Sequence, residues 1–163
     1  MDEADSMIVG RSRRASSMAN IPFGRFTENA KQVLAVAQHE AETVDHSAIW
    51  SEDLLLGLLR VEKGGAAKAL TKVGVHINMV RSRIDAMPGH SDGLGGSEGQ
   101  PTSRTRAVIG AAFEEANKAD SSHVGTGHLL LGLLIESESI AAQIFRDLGV
   151  SLQEVRQELD SNP

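Results

Sequence analysis

Apolar residues recur along this chain at helical spacing, and they do so in two closely related sets. Residues Leu54–Leu59 read LLLGLL, and Leu129–Leu134 read LLLGLL again. Upstream of the first run, apolar residues recur every three or four positions, as on the buried face of an amphipathic helix: Val33, Leu34, Ala37, Ala41 and Val44. No stretch of about 18 residues is continuously apolar, so no membrane span is predicted. The pattern predicts an all-α protein with two related cores.

A single offset of 75 positions relates the two halves of the chain. Without a gap it aligns Thr27 with Thr102, Glu40 with Glu115, Gly74 with Gly149, and Val80 with Val155. The chain is therefore predicted to be a tandem duplication. Repeat 1 spans residues 21–87 and repeat 2 residues 102–160. Residues 88–101 form a Gly/Ser-rich linker, and residues 1–20 a disordered tail.

Each repeat is predicted to contain four short helices. Hydroxyl side chains precede the first and second helices, where they can accept hydrogen bonds from free N–H groups: Thr27 and Ser51 in repeat 1, Thr102 and Thr126 in repeat 2. The third helix ends at Gly74 or Gly149, because glycine readily adopts the left-handed conformation. Before the fourth helix, Ser151 and Glu154 form a capping box in repeat 2, and His76 is a poorer cap in repeat 1.

The glycine inside each LLLGLL run needs a physical reason. A glycine within a helix costs about 1 kcal/mol relative to alanine. Both copies nevertheless have one, at Gly57 and Gly132. We therefore expect the backbone of another helix to pass close to each glycine.

Several longer segments carry a resemblance to a known family: FGRFTENAKQVLAVAQHEA, SEDLLLGLL, GGAAKALTKVGV and VGTGHLLLGLLIESESIAAQIFRDLGVSLQEVRQEL. Over about Phe23–Leu159 the chain resembles the double Clp-N repeat, the N-terminal domain of Hsp100/Clp unfoldases, and within it the ClpC branch most. This resemblance implies eight helices in two four-helix repeats related by a pseudo-twofold axis. No G-x-x-x-x-G-K-[ST] phosphate loop is present. We expect a stand-alone Clp-N protein, although a domain excised from a longer ClpC is an alternative.

The resemblance also implies a phosphoarginine or peptide site in each repeat. A threonine and a helix N-terminus would face the phosphate, and a glutamate would face the guanidinium. Repeat 1 has both groups, Thr27 and Glu52, whereas repeat 2 has Thr102 but Gly127 at the glutamate position. Repeat 2 is therefore expected to bind weakly or not at all. Alternatively, the threonines are only helix caps and Glu52 is a first-turn acid favoured by the helix dipole.

A second surface implied by the resemblance is a groove between the two first helices, where adaptors bind in this family. The resemblance places four residues of repeat 1 near that groove: Phe23, Arg25, Lys31 and Val33. A simpler alternative for Phe23 is a hydrophobic staple ahead of the Thr27 cap. The two roles are compatible.

Composition narrows the chemistry further. The net charge of −6 disfavours nucleic acid, so DNA binding through the basic RSRR of the tail is the weakest reading. The chain has no cysteine, and its six histidines include no H-x-x-x-H pair. We therefore expect no metal, no cofactor and no catalytic residues. A reducing compartment fits the missing cysteine, which favours a cytoplasmic protein, with the plastid stroma as the alternative.

These observations together predict a non-enzymatic module that binds peptides, degrons or adaptors. Its expected partners are a ClpC-type ATPase, a ClpP-type protease, and adaptors or arginine-phosphorylated proteins. In that role it would regulate a ClpC–ClpP-type protease or deliver substrates to it. The alternative is a structural accessory subunit that stabilises the protease assembly.

Overall fold

Eight α-helices occupy the part of the chain that the computed structural model describes, residues 21–87 and 101–161. In repeat 1 they are α1 (Glu28–Thr43), α2 (Ser51–Arg60), α3 (Gly65–Lys72) and α4 (Ile77–Asp85). In repeat 2 they are α5 (Ser103–Lys118), α6 (Thr126–Ile135), α7 (Ile140–Asp147) and α8 (Leu152–Ser161). A 3₁₀ turn, Phe23–Arg25, precedes α1. The all-α prediction of two four-helix repeats is confirmed.

The predicted tail, residues 1–20, lies outside the described residues, as does nearly all of the predicted linker. Pro101 is the exception, because it is buried and forms an isolated β-bridge with Ile49 of repeat 1. Phe26 forms the equivalent bridge with Val124 of repeat 2. The backbone before each first helix is therefore attached to the other repeat, and Pro101 belongs to the folded body.

Several helix boundaries follow the predicted caps. The Thr27 and Thr102 hydroxyls accept hydrogen bonds from the N–H groups of Ala30 and Thr105, both at 3.1 Å. The predicted helix stops also hold, because Gly74 and Gly149 have φ angles of 86° and 77°, in the left-handed region that favours glycine.

The start of the fourth helix differs between the repeats as predicted. Ser151 Oγ accepts a hydrogen bond from Glu154 N at 3.1 Å, and Glu154 Oε1 accepts one from Ser151 N at 3.1 Å. This reciprocal pair is the predicted capping box. His76 makes no side-chain cap hydrogen bond at the start of α4.

The hydroxyls expected to cap the second helices have a different role. Ser51 Oγ accepts a hydrogen bond from Ala141 N at the start of α7, and Thr126 Oγ1 accepts one from Ala66 N at the start of α3, both at 3.1 Å. The prediction was wrong because a local cap could be read from sequence, whereas these bonds cross between the repeats. Each repeat therefore completes the third helix of the other.

The two LLLGLL helices lie at the centre of the molecule. α2 and α6 contact each other, α2 also contacts α7, and α6 also contacts α3. Their leucines include several of the largest completely buried side chains: Leu54, Leu55, Leu58, Leu129, Leu130 and Leu133. The buried residues of both repeats form one continuous apolar cluster. The repeats consequently share a single core.

The glycine of each run lies where the first helix of the same repeat passes closest. A Cβ added at Gly57 would lie 2.7 Å from the backbone oxygen of Val33 and 3.3 Å from Ala37 N. A Cβ at Gly132 would collide with the backbone oxygen of Val108. The expected close approach of a second backbone is confirmed in both repeats.

No single helix in the described ranges has both the length and the apolar character needed to cross a membrane. Helices α6 and α7 reach those criteria only as a pair, and they are bent by 84° relative to each other.

Candidate functional site

Two pockets occupy equivalent positions in the two repeats. The narrow pocket, in repeat 1, has a volume of about 200 Å³ and is lined by Glu40, Val44, Glu52, Asp53, Leu56, Arg81, Ile84 and Asp85. The wide pocket has a volume of about 440 Å³. Its lining contains the residue 75 positions after each of those eight: Glu115, Ala119, Gly127, His128, Leu131, Arg156, Leu159 and Asp160. Duplication therefore produced two versions of one site.

A buried glutamate paired with arginine lies in both pockets. Glu40, only 4% exposed, is 2.7 Å from Arg60 Nη1 and 3.2 Å from Arg81 Nη2. Burial acts to raise the pKa of Glu40, but the two arginines outweigh it and the pKa is lowered. Both pocket floors therefore contain a glutamate–arginine ion pair, because repeat 2 has the equivalent residues Glu115 and Arg156.

In repeat 2, Glu115 is 6% exposed and lies 2.7 Å from Arg156 Nη1. The hydrogen bond from Arg156 is the main reason that the pKa of Glu115 is lowered. Lys118 lies 3.5 Å from the same carboxylate. Repeat 2 has Ile135 at the position of Arg60, so only one arginine pairs with its glutamate.

The wall of the narrow pocket is closed by acidic side chains at the start of α2. The side chains of Glu52 and Asp53 are 3% and 2% exposed. Asp53 Oδ2 accepts a hydrogen bond from Trp50 N at 2.9 Å, and this bond caps α2 in place of the expected Ser51. Burial raises the pKa of Asp53. A ligand therefore has little access to either carboxylate.

His46 connects these acids to the tryptophan. Its Nδ1 lies 2.9 Å from Asp53 Oδ2 and its Nε2 lies 4.0 Å from Glu52 Oε2. The imidazole stacks on Trp50 with ring centroids 4.0 Å apart. Ligand atoms of His46, Glu52 and Asp53 all lie within 4.8 Å of one another, so these are residues that could hold a metal ion. Sequence reasoning missed this cluster, because these three residues form no recognised ligand spacing.

The corresponding wall of the wide pocket is open. Gly127 has no side chain, and His128 occupies the position of Asp53. His128 Nδ1 accepts a hydrogen bond from Gly125 N at 3.1 Å, so the imidazole caps α6 as Asp53 caps α2. Burial lowers the pKa of His128, which favours the neutral ring that this cap requires.

The wide pocket combines residues from both repeats. Thr27 lies in the wide pocket, where its N–H donates to Val124 O at 3.0 Å. Thr102 donates in the same way to Ile49 O at 3.1 Å, next to the α2 start that carries Glu52. The sequence had grouped Thr27 with Glu52. The structure instead places Thr27 beside Gly127, because the segment before each first helix pairs with the opposite repeat.

The two threonines also differ in access. Thr102 is 2% exposed, whereas Thr27 is half-buried and reaches the wide pocket. Glu52 and Thr102, which lie near the start of α2, are therefore enclosed, and the accessible pocket is the one that lacks the glutamate.

The predicted adaptor residues separate into surface and core. Phe23 is half-buried, with its ring 5.6 Å from Phe26, and Phe26 lies 5.3 Å from Phe113 of α5. Arg25 lies over the Phe113 ring at 5.3 Å, and its guanidinium donates to the backbone oxygens of Ser121 and Ser122. These two residues form a surface that joins both repeats.

The other two predicted adaptor residues lie further along α1. Lys31 is exposed and pairs with Glu28 at 3.2 Å. Val33 is completely buried, so it belongs to the core and a partner cannot contact it. Its role is to pack against Gly57 of α2.

Sequence reasoning missed the charged floor of both pockets. The 75-residue offset aligns Arg81 with Arg156 as it aligns Glu40 with Glu115, but the alignment alone assigns them no role. The available signal was that an acid and a base recurred together in both copies at the same separation of 41 positions.

Comparison with known proteins agrees with this architecture. The family model described as the Clp repeat (R) N-terminal domain matches residues 25–103 and again residues 100–162. The negative regulator of genetic competence ClpC/MecB from Bacillus subtilis is 42% identical over 137 residues, which cover 84% of this chain and 17% of that protein. Chaperone protein ClpB from Oceanobacillus iheyensis is 41% identical over 140 residues, covering 84% of this chain and 17% of that protein.

Solved structures share the fold. The N-terminal domain of the chaperone ClpD from Arabidopsis thaliana superposes with a TM-score of 0.69 at 19% identity, covering 86% of this chain and 95% of that one. A ClpV N-domain in complex with a VipB peptide superposes with a TM-score of 0.66 at 14% identity, covering 86% and 91%. The chain spans about a sixth of the length of the curated relatives it matches.

Proposed function

Since the chain belongs to the Clp repeat (R) N-terminal domain family, we propose that it is a non-catalytic module that binds peptides or adaptors. Its partners on this proposal are a ClpC-type ATPase, a ClpP-type protease and their adaptors, and it regulates that protease or delivers substrates to it. The proposal is supported by a ClpV N-domain that shares this fold and is bound to a VipB peptide. A peptide or adaptor bound in this way must contact an accessible surface of the protein.

The observation that carries the proposal is the wide pocket. It is open, has a volume of about 440 Å³ and combines Thr27 with the start of α6. Three helix starts border it, at Thr27 for α1, Gly65 for α3 and Thr126 for α6. Helix N-termini carry partial positive charge, so an anionic side chain of a peptide suits this opening.

The pocket also limits the ligands it can bind well. Arg156 is 42% exposed but is already paired with Glu115, and Asp160 adds a second acid to the lining. Gly127 supplies no carboxylate for a guanidinium. We therefore propose an acidic or phosphorylated peptide as the ligand of the wide pocket, with the anion at the helix starts.

Phosphoarginine recognition through repeat 1 is the finer version of this proposal. It requires Glu52 to leave an enclosed position in which its side chain is only 3% exposed. It also requires Thr102, which is 2% exposed, to become accessible. A rearrangement at the start of α2 would have to accompany binding there.

A peptide titration tests both versions. A fluorescein-labelled peptide containing one phosphoarginine is titrated by fluorescence polarisation, with the unphosphorylated peptide as control. We expect Gly127→Glu to bind about tenfold or more tightly than wild type, because it adds a charge-assisted bond to the guanidinium. Glutamate fits at this position if Leu159 shifts, since an added Cβ would meet only the end of that flexible side chain at 3.1 Å.

The outcomes separate the two pockets. Weaker binding by Glu52→Ala than by wild type supports repeat 1 as the site. Equal binding by wild type and Glu52→Ala, with a gain in Gly127→Glu, supports the wide pocket. If wild type binds neither the phosphoarginine peptide nor an aspartate-rich peptide, the peptide-binding proposal is wrong for both pockets.

The surface formed by Phe23 and Arg25 supports the adaptor part of the proposal. It is partly exposed and joins the two repeats through Phe113. Phe23→Ala and Arg25→Ala, compared with Arg83→Ala on the exposed face of α4, should reduce adaptor capture from a native lysate. Recovery of the ClpP ring without an ATPase would instead favour a structural accessory subunit.

A further inference from the structure

A groove on repeat 1, separate from both pockets, has no role in the function proposed above. It lies between the end of α2, the exposed face of α3 and the start of α4, and its volume is about 780 Å³. Its floor is apolar and is formed by Leu59, Ala67, Val75 and Ile77. A groove with this floor suits a segment that presents aliphatic side chains.

The rim of this groove is basic, although the chain as a whole has a net charge of −6. Lys68, Lys72 and His76 line it and are exposed, and Glu62 is the acid among the lining residues. The positions 75 residues later carry Gln143, Asp147 and Ser151. The apolar floor follows from the duplicated fold, but Lys68 and Lys72 are particular to repeat 1, so the two lysines are not a requirement of folding.

One segment of the chain outside the described residues has the matching chemistry. Residues 1–9 contain three acids, Asp2, Glu3 and Asp5, followed by the apolar triplet Met7, Ile8 and Val9. The other long stretch outside the described residues, 88–100, has no two adjacent aliphatic side chains. Charge and apolar character therefore select the N-terminal segment as the occupant.

The length of the intervening chain is sufficient for docking within one molecule. Eleven residues, 10–20, connect Val9 to Ile21, where the described part begins. That number of residues spans at most about 40 Å. A domain of about 130 residues has a radius of gyration of about 14 Å, so the connection is comparable with its diameter.

We propose that residues Asp2–Val9 bind this groove of the same molecule. The acidic side chains pair with Lys68 and Lys72, and the apolar triplet covers the floor near Val75 and Ile77.

Paramagnetic labelling tests this proposal on the full chain. Because the chain has no cysteine, Ala4→Cys gives a single attachment point for a nitroxide. We expect the label to broaden the amide signals of Lys68, Lys72 and Ile77 and to leave those of Gln143, Asp147 and Leu152 sharp. Raising the salt to about 1 M should weaken the broadening, since the Debye length falls to about 3 Å.

A matched pair of variants tests the role of the rim. Lys68→Gln with Lys72→Asp gives repeat 1 the residues of repeat 2 and should lower the ratio of docked to free segment about three- to tenfold, because each exposed ion pair contributes a few-fold. Arg106→Asp with Asn117→Asp changes the net charge equally at exposed positions of α5 and should leave the broadening unchanged. Equal losses in both variants would show a nonspecific charge effect and overturn the proposal.

A mixing experiment separates docking within one molecule from docking between molecules. One chain carries the nitroxide but no ¹⁵N, and the other carries ¹⁵N but no nitroxide, so broadening in the mixture can arise only between molecules. Broadening in the directly labelled chain but not in the mixture supports the proposal. Broadening in the mixture means that a second copy provides the segment, and it overturns the intramolecular assignment. Uniform or absent broadening overturns binding at this groove altogether. None of these outcomes depends on whether the wide pocket binds a peptide.

Discussion

The narrow and wide pockets descend from one site but differ in their upper walls. At the start of α2, Glu52 and Asp53 fill the wall and are enclosed with His46. At the start of α6, Gly127 and His128 leave the wall open, and Thr27 reaches the cavity. The floors, with a glutamate paired to arginine, are alike. The comparison shows that the two repeats differ in access at this one helical turn, although both keep the glutamate–arginine pair.

The largest expected effect comes from the glycines that let the first and second helices meet. Gly132→Ala should destabilise by about 2–3 kcal/mol in urea unfolding, because its Cβ collides with the backbone oxygen of Val108, which cannot rotate away. Gly57→Ala should destabilise less, because its Cβ would lie 2.7 Å from the backbone oxygen of Val33, a less severe overlap than the one at Gly132.

Gly110 provides the matched control for those glycines. It lies within α5, is exposed, and has no other atom within 4 Å of an added Cβ. Gly110→Ala should therefore stabilise by about 0.5–1 kcal/mol through helix propensity alone. If Gly132→Ala also stabilised, the close approach of α5 and α6 would not be the reason for the glycine.

The second effect concerns the pocket floors, which differ in the number of arginines. Arg156→Met should lower the free energy of unfolding by about 2 kcal/mol at pH 7, because the buried Glu115 carboxylate loses its arginine partner. The expected loss is smaller than the loss on breaking a fully buried ion pair, because the Arg156 side chain is 42% exposed and water screens its charge. Arg81→Met should cost less, because Arg60 still lies 2.7 Å from Glu40.

The pH dependence of that variant checks its cause. The pKa of Glu115 is lowered from 4.5, so its stabilising contribution is present above pH 4.5 and is lost as the pH falls through the folded-state value. The difference between wild type and Arg156→Met should therefore shrink below pH 4.5. A difference that stays constant down to pH 3 would point to lost packing of the arginine stem.

The third effect tests whether the repeats depend on each other equally. Thr126→Val and Ser51→Ala each leave a buried N–H, of Ala66 and Ala141 respectively, without its hydroxyl acceptor. Each should cost about 1–2 kcal/mol. Thr71→Val removes a hydroxyl that donates within α3 at an exposed position and should change stability by less than about 0.5 kcal/mol. Hydrogen exchange should localise the loss in Thr126→Val to α3, in the repeat that was not mutated.

The smallest expected effect is a pH-dependent loss of stability at the cap of α6, which is His128 where α2 has Asp53. The pKa of His128 is lowered from 6.5 by burial, so its contribution to stability is present above pH 6.5 and is lost as the pH falls through its folded-state pKa. Protonation removes the acceptor for Gly125 N and should cost about 1 kcal/mol. His128→Asp, which gives repeat 2 the cap of repeat 1, should abolish this step in a stability–pH profile. A step that persists in the variant would belong to another histidine.

Much of the fold could be predicted because its determinants are local or periodic. The 75-residue offset, the Thr27 and Thr102 caps and the helix stops at Gly74 and Gly149 depend on residues near one another in sequence. The offset also gave the correct reason for Gly57, since a penalty repeated in both copies indicates a packing requirement. These predictions needed no knowledge of how the repeats are placed against each other.

The candidate site was predicted less well, because it depends on contacts between distant residues. Thr27 had been paired with Glu52 in the same repeat, but the bridge between Phe26 and Val124 carries Thr27 to the other one. Val33 had been placed in an adaptor groove although it faces α2. A helical period indicates which side of a helix is apolar, but it does not show which neighbour covers that side.

The exchanged hydroxyls of Ser51 and Thr126 have a consequence for how such a chain could have arisen. One repeat alone lacks the acceptor at the start of its third helix, but two identical copies related by a twofold axis can supply it to each other. A single-repeat ancestor would therefore be expected to be a homodimer. Joining the copies in one gene replaces a concentration-dependent encounter with a high effective concentration. Once joined, the two halves were no longer obliged to remain identical, and one could close its pocket while the other kept its pocket open.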